Sequence, residues 1–314
     1  MPEPISKWYD DFVRRQIQTS ELTWIDVVDA TKEDIEFLTR EFHFHRLDIE
    51  EIRHRSPRPK VEEHPGYLFF VIHIPVYEAK DRSTIPVELD LFMTQTHVIT
   101  VHQGRVHLLD RFFRDVHEHE GARERYVGRG AAYLLYSIMD GLIESSFPKL
   151  DHILEKIEAA ERKIFAGEER AMVFELSAIQ RDLSGFRYVV RPQVHLYDAG
   201  TLRGDFATPL FRAVFRSINA KLARTWDALE TLQEKVDALS ETNSNLLSYK
   251  LNEFIKLLTL LGALFIPFGL IAQVVLFLGT GAPLTHLVIF WSIIGGMLTV
   301  DAALLWYSRH RKLL

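Results

Sequence analysis

Residues 257–278 and 284–307 are two apolar runs in tandem, and between Leu257 and Leu305 the only formal charge is Asp301. Each run exceeds the roughly 20 helical residues that a ~30 Å hydrocarbon layer requires. Inside such a layer each backbone N–H and C=O must find its partner within the segment, so each run is expected to form a membrane-spanning helix. A buried hairpin in a water-soluble core is the competing reading, and two such runs in tandem do not suit it. Lys250 and Lys256 precede the first run, Arg309, Arg311 and Lys312 follow the second, and the turn 279–283 has no charge. Positive flanks stay on the cytoplasmic side. The chain is therefore expected to be a multi-pass protein of the plasma (inner) membrane with both termini cytoplasmic.

The residues before the spans are charge-rich. The whole chain of 314 residues carries a net charge of -6, which argues against a nucleic-acid partner. It has no cysteine, hence no disulfide framework and no thiolate ligand or nucleophile. The first residues hold no apolar segment of signal-peptide type. "LTWIDVVDA" (22–30), "YLFFVIHIPVY" (67–77), "IPVELDLFMT" (85–94) and "HVITVHQ" (97–103) read as strands from their β-branched and aromatic content, with "TQT" (94–96) as a hairpin turn. Thr31 with Asp34 three residues on is a capping-box-like helix start. From about 107 the pattern turns helical, with Pro148 and Pro192 as breakers. The run "RRQIQTSE" reads as solvated surface. Residues 1–200 are thus expected to form an α/β domain with a central sheet and a helical layer.

No strong breaker interrupts 210–266. Leu222, Trp226, Leu229, Leu232, Val236 and Leu239 recur in steps of three and four. A helix continuing to 278 would be ~100 Å long at 1.5 Å per residue. Residues 205–256 are expected to be a stalk, continuous with a first span at 257–278, followed by a turn (279–283), a second span (284–307) and a basic tail (308–314). Read in steps of seven, Asn245, Asn252, Thr259, Ile266 and Gln273 share one stripe. Ser248, Ile255, Gly262, Gly269 and Leu276 lie beside it. A seven-residue step keeps a seam facing a common axis in a supercoiled bundle. A polar or small seam at membrane depth serves either close helix packing or a water-lined pore. The amides that continue below the membrane, Asn243 and Asn245, favour the pore.

The stretch "NEFIKLLTLLGALFIPFGLIA" (252–272) resembles the first membrane helix of the CorA family of magnesium and metal-ion channels. "YLLYSIMDGLIESSF" (133–147) resembles a helix of the same family, and the basic tail "WYSRHRKLL" also fits. The resemblance implies an α+β membrane protein, a funnel-shaped homopentamer. Its N-terminal α/β domain would be cytoplasmic, and its stalk helix would run on as the pore-lining first span. Asn252 matches the family amide at the cytoplasmic pore mouth. Polar positions Asn245, Ser248, Asn252, Thr259 and Gln273 would then line the pore, with Ile255, Gly262, Ile266, Gly269 and Leu276 as small or apolar gate positions. The family signature Gly-Met-Asn falls at Leu276-Phe277-Leu278, whose side chains cannot offer amide oxygens to a hydrated cation. The turn lacks the acids of the family's external loop, and Ala213 and Ser217 stand where its magnesium-sensing stalk aspartate is expected. Ion selectivity is therefore open.

The expected function is passive transport of metal cations, with a non-conducting scaffold or sensor of the same fold as the alternative. The expected partners are further copies of the chain, the bilayer and a divalent cation of open identity. No resident cofactor and no catalytic constellation are read. His117 and His119 in "DVHEHE" (115–120) are weak metal candidates, because i, i+2 on a helix points two rings apart. His73, His97 and His102 read as satisfied sheet residues. Asp301, the one acid within the spans, reads as a structural residue at membrane depth.

Overall fold

A computed structural model describes residues 14–198, 202–278 and helical positions 288, 291, 292, 294–296 and 299. The chain divides into two compact units at Glu241 and Thr242. The first unit is built on one six-stranded sheet. Its strands are β1 (Arg14–Gln18), β2 (Thr23–Val28), β3 (Lys60–His64), β4 (Tyr67–Glu78), β5 (Ser83–Met93) and β6 (His97–His102), in spatial order β1-β2-β6-β5-β4-β3. All neighbours pair antiparallel except β2 and β6, which run parallel with Thr23 opposite His97.

The two-residue period of β4 sorts its side chains between two cores. Leu68, Phe70, Ile72 and Ile74 join the core shared with α3 (His107–Glu118), α5 (Ala131–Glu144) and the first turns of α8 (Pro209–Leu278). Tyr67, Phe69 and Val71 join the opposite core with α1 (Lys32–Phe42) and α2 (Arg46–His54). Both faces of the sheet are covered, which explains why β4 reads as a continuous apolar run rather than an alternating one. The short α4 (Glu120–Tyr126) follows α3, and α6 (Phe147–Phe165) packs with α7 (Glu169–Val190). Pro148 sits in the first turn of α6, where its missing N–H costs nothing.

Thr31 caps α1 as its sequence predicts: its hydroxyl accepts the Asp34 N–H at 3.3 Å, and Asp34 accepts the Thr31 N–H at 3.0 Å. The 94–96 turn is closed by Thr94 N–H donating to the His97 carbonyl at 2.8 Å. One reading is corrected. The stretch beginning at Arg14 is exposed at Arg14, Gln16 and Gln18 as read, but it is also the edge strand β1, with Ile17 buried and Arg15 against buried Asp26. Its charges hid a strand whose arginine is spent on an internal carboxylate.

α8 is a single element of 70 residues. Within the first unit its Leu222, Leu229, Leu232, Val236 and Leu239 are buried, and Trp226 lies under the Arg187 guanidinium at 5.0 Å. The second unit begins at Thr242. Among the described residues no helix is both long and apolar enough to cross a membrane. The side chains at 263, 264, 267, 272, 274 and 276–278 are outside the described residues, as are the turn 279–283, Asp301 and the tail 308–314.

Candidate functional site on the distal part of α8

Asn245, Ser248, Asn252, Ile255, Thr259, Ile266, Gly269 and Gln273 are helical and exposed in the single chain, and Gly262 is half-buried. The heptad steps hold because one uninterrupted helix carries all of them. Thr259 Oγ1 donates to the Ile255 carbonyl at 2.8 Å, which spends its hydrogen on the helix and leaves its lone pairs outward. A Cβ added at Gly262 or Gly269 would meet nothing within 4 Å. Packing among the described residues therefore does not require either glycine. Leu251, Phe254, Leu257, Leu258, Phe265 and Phe268 on the same helix are all more than half exposed. So large an apolar surface calls for a cover of lipid or protein. Leu276, Phe277 and Leu278 end the helix, and their side chains lie outside the described residues.

The weaker histidine pair is not brought together around a common point. His119 Nδ1 lies 3.1 Å from Asp115 Oδ1, and the His117 ring stacks on Phe113 with centroids 6.4 Å apart. The strand histidines are satisfied in part: His73 Nε2 lies 3.1 Å from the Ser56 carbonyl, His97 Nδ1 2.9 Å from Thr96 Oγ1 and His102 Nδ1 2.8 Å from the Gln103 carbonyl, whereas His102 Nε2 lies 3.3 Å from Asp26 Oδ1 with no hydrogen-bond partner among the described residues.

Two other clusters went unseen in the sequence, because their members come from distant segments. The first joins Asp26, His102 and Asp110. Arg15 pairs with Asp26 at 2.7 Å and also with Asp110, so a guanidinium already neutralises both carboxylates. Burial pushes the Asp26 carboxyl up, but His102, Arg15 and Thr100 together hold it below the usual carboxylate range. Burial disfavours a charged His102, and Asp26 more than reverses that, so His102 titrates above its ordinary value. This cluster is an internal ion-pair network. The second joins Asp48, Glu62 and His64.

A family model described as "CorA-like Mg2+ transporter protein" matches residues 19–309. The chain belongs to the CorA-like family. This CorA-like chain is 26% identical to the cobalt/magnesium transport protein CorA of Thermotoga maritima, over 80% of its own length and 72% of that protein. It is 27% identical to the putative metal ion transporter YfjQ of Bacillus subtilis, over 80% and 76%. Its fold matches the complete CorA magnesium transporter of Methanocaldococcus jannaschii with a TM-score of 0.72 at 19% identity, covering 92% of this chain and 90% of that one. The full-length CmaX protein matches equally well, with a TM-score of 0.72 at 18% identity, covering 93% and 89%. The CorA-like family is one of divalent-cation transporters, not enzymes. The two sequence motifs that carried the resemblance lie in α5 and in the distal part of α8.

Proposed function

We propose that this chain forms a passive pathway for metal cations, with the distal part of α8 as its lining. The observation that carries the reading is the heptad seam. Amide and hydroxyl groups at Asn245, Ser248, Asn252, Thr259 and Gln273 repeat along one helix whose Leu251, Phe254, Leu257, Leu258, Phe265 and Phe268 are apolar and more than half exposed. Copies of the chain, five as in the family, would set that seam around an axis. Residues 257–278 and 284–307 would cross the bilayer with both termini cytoplasmic, in keeping with the flanking charges. Rings of amide and hydroxyl oxygen would hold a hydrated ion, and the apolar rings at Ile255, Ile266 and Leu276 would gate by dewetting. An inside-negative potential of about 100 mV supplies ~4.6 kcal/mol to an entering divalent ion, from ~2.3 per charge, so uptake needs no chemical fuel.

Leu276-Phe277-Leu278 offers no oxygen ligand where the family signature stands. Selectivity then rests on Gln273 and Asn252 rather than on a signature ring. The test is influx of magnesium, zinc, cobalt and nickel into proteoliposomes, with and without a potential. Gln273→Leu and Asn252→Leu are expected to reduce influx by about tenfold or more, corresponding to at least ~1.4 kcal/mol. Unchanged influx in both variants rejects the lining. The missing signature favours one second reading, a non-conducting scaffold or sensor of this fold. That reading stands if no cation enters faster than into empty liposomes.

A further inference from the structure

We propose that Asp48, Glu62 and His64 form a binding site for a zinc-like divalent metal in the first unit, separate from the α8 seam. The three residues come from two elements. Asp48 lies in the first turn of α2, and Glu62 and His64 sit two apart on β3, so they share a face of the sheet's edge strand. His64 Nε2 lies 3.1 Å from Asp48 Oδ2 and 3.6 Å from Glu62 Oε2. Two ligand atoms of a tetrahedral ion with bonds of ~2.0–2.1 Å are separated by about 3.3 Å. The observed spacings bracket that edge.

The hydrogen-bond inventory points the same way. Asp48 is 1% exposed, and its Oδ1 has no hydrogen-bond partner among the described residues. His64 Nε2 is likewise without one, because its approach to Asp48 lacks the angle of a hydrogen bond despite the short distance. The oxygen beside His64 is Oδ2, and the other oxygen of the same buried carboxylate and the ring nitrogen are both left without a hydrogen bond, which is costly unless a further body takes up the lone pairs of the cluster.

The surroundings hold the ligands as a metal site needs. Tyr67 donates its hydroxyl to Asp48 Oδ2 at 2.7 Å and accepts the His45 N–H at 2.8 Å. The His64 ring is stacked between Tyr67 (4.7 Å, 15°) and His45 (5.6 Å, 14°). Outer partners of this kind fix ligand orientation. Lys60 bridges Glu62 Oε1 at 3.0 Å and Glu51 at 2.9 Å, which leaves Glu62 Oε2 toward His64. Glu62 is 44% and His64 23% exposed, so the site is open to entry from the sheet edge. One imidazole with two carboxylates suits zinc, cobalt or nickel better than magnesium, and three protein ligands leave a fourth tetrahedral position for solvent.

The test titrates the purified full-length protein in detergent with zinc chloride and cobalt chloride at pH 7.5, using calorimetry, the cobalt absorption spectrum and Tm. One metal per chain is expected, with Tm raised by about 5–10 °C at a hundredfold excess over Kd. His64→Ala and Glu62→Gln are expected to weaken binding by about 100-fold and remove the cobalt band. Tyr67→Phe is expected to weaken it by 10–100-fold. The double variant His117→Ala/His119→Ala keeps full affinity, which separates this site from the weaker histidine pair. Glu62 is partly exposed, so its variant keeps the test sound if the His64 variant misfolds. Absence of a metal-dependent signal in the parent protein, or an unchanged Kd in Glu62→Gln and His64→Ala, overturns the site and leaves a simple His64–Asp48 ion pair.

Discussion

At Arg15 a single side chain holds a buried network together. It is a quarter exposed, and it neutralises Asp26, which is fully buried. Arg15→Gln leaves that carboxylate without its cation, and the expected loss is about 2–4 kcal/mol, somewhat under the 3–5 of a fully buried pair. A fall in the urea midpoint at pH 7 measures it, and an unchanged midpoint would contradict the network. The same cluster sets a pH dependence. His102 titrates above 6.5 in the fold, so its contribution is whole below 6.5 and is lost as pH rises through the raised value. The midpoint should fall with rising pH in the parent protein and stay flatter in His102→Gln. Asp90 works with the same sign. It is 4% exposed, burial and nearby Glu88 push its carboxyl well up, and its Oδ1 is unpartnered. A raised carboxyl adds stability below its ordinary value of 3.8 and loses it as pH rises through the folded value. Asp90→Asn should therefore raise Tm at pH 7 by about 2–4 °C, the shift expected of ~1 kcal/mol in a domain of this size. The gain should vanish below about pH 4.

Among the elements, what could be read in the sequence was what is local. β2, β4, β5 and β6 follow from β-branched and aromatic runs, and α1 from the Thr31–Asp34 reciprocity. β1 and β3 were missed because their polar side chains, Arg15, Glu62 and His64 among them, meet their partners across the sheet edge rather than along the strand. The Asp48 cluster was invisible for the same reason: α2 and β3 meet only once the sheet exists. Gly185 on α7 shows how closely a helix can seat on a strand. A Cβ there would stand 2.1 Å from the Thr84 carbonyl oxygen of β5, beside the buried 2.7 Å bond from Thr84 Oγ1 to Asp182. Gly185→Ala must push α7 off β5, and a loss above about 4 kcal/mol is expected. Expression of folded protein at parental yield and Tm would refute that close approach.

For the whole molecule, the proposed seam could be read from the sequence because a seven-residue repeat needs no tertiary information. The assembly proposed around it rests on family resemblance, since a lone chain leaves Ile255 and Ile266 exposed whichever neighbour covers them. The absence of cysteine makes that neighbour easy to find. Ser248→Cys and Asn252→Cys should cross-link between copies in native membranes, whereas Lys250→Cys, off both stripes and exposed, should cross-link at least about tenfold more slowly. Equal rates at all three positions would remove the axis. The helix that carries the seam is also mechanically uneven. Pro267 supplies no N–H to the carbonyl four residues before it, and Gly262 and Gly269 flank it with no side chain and no neighbour within 4 Å. Bending stiffness is therefore lowest over that short stretch, around Ile266. Spin labels placed across 262–269 should report a broader distance distribution than labels across 248–255. A push or twist delivered along the helix would be taken up there as a change of angle, like the elbow in an otherwise rigid rod.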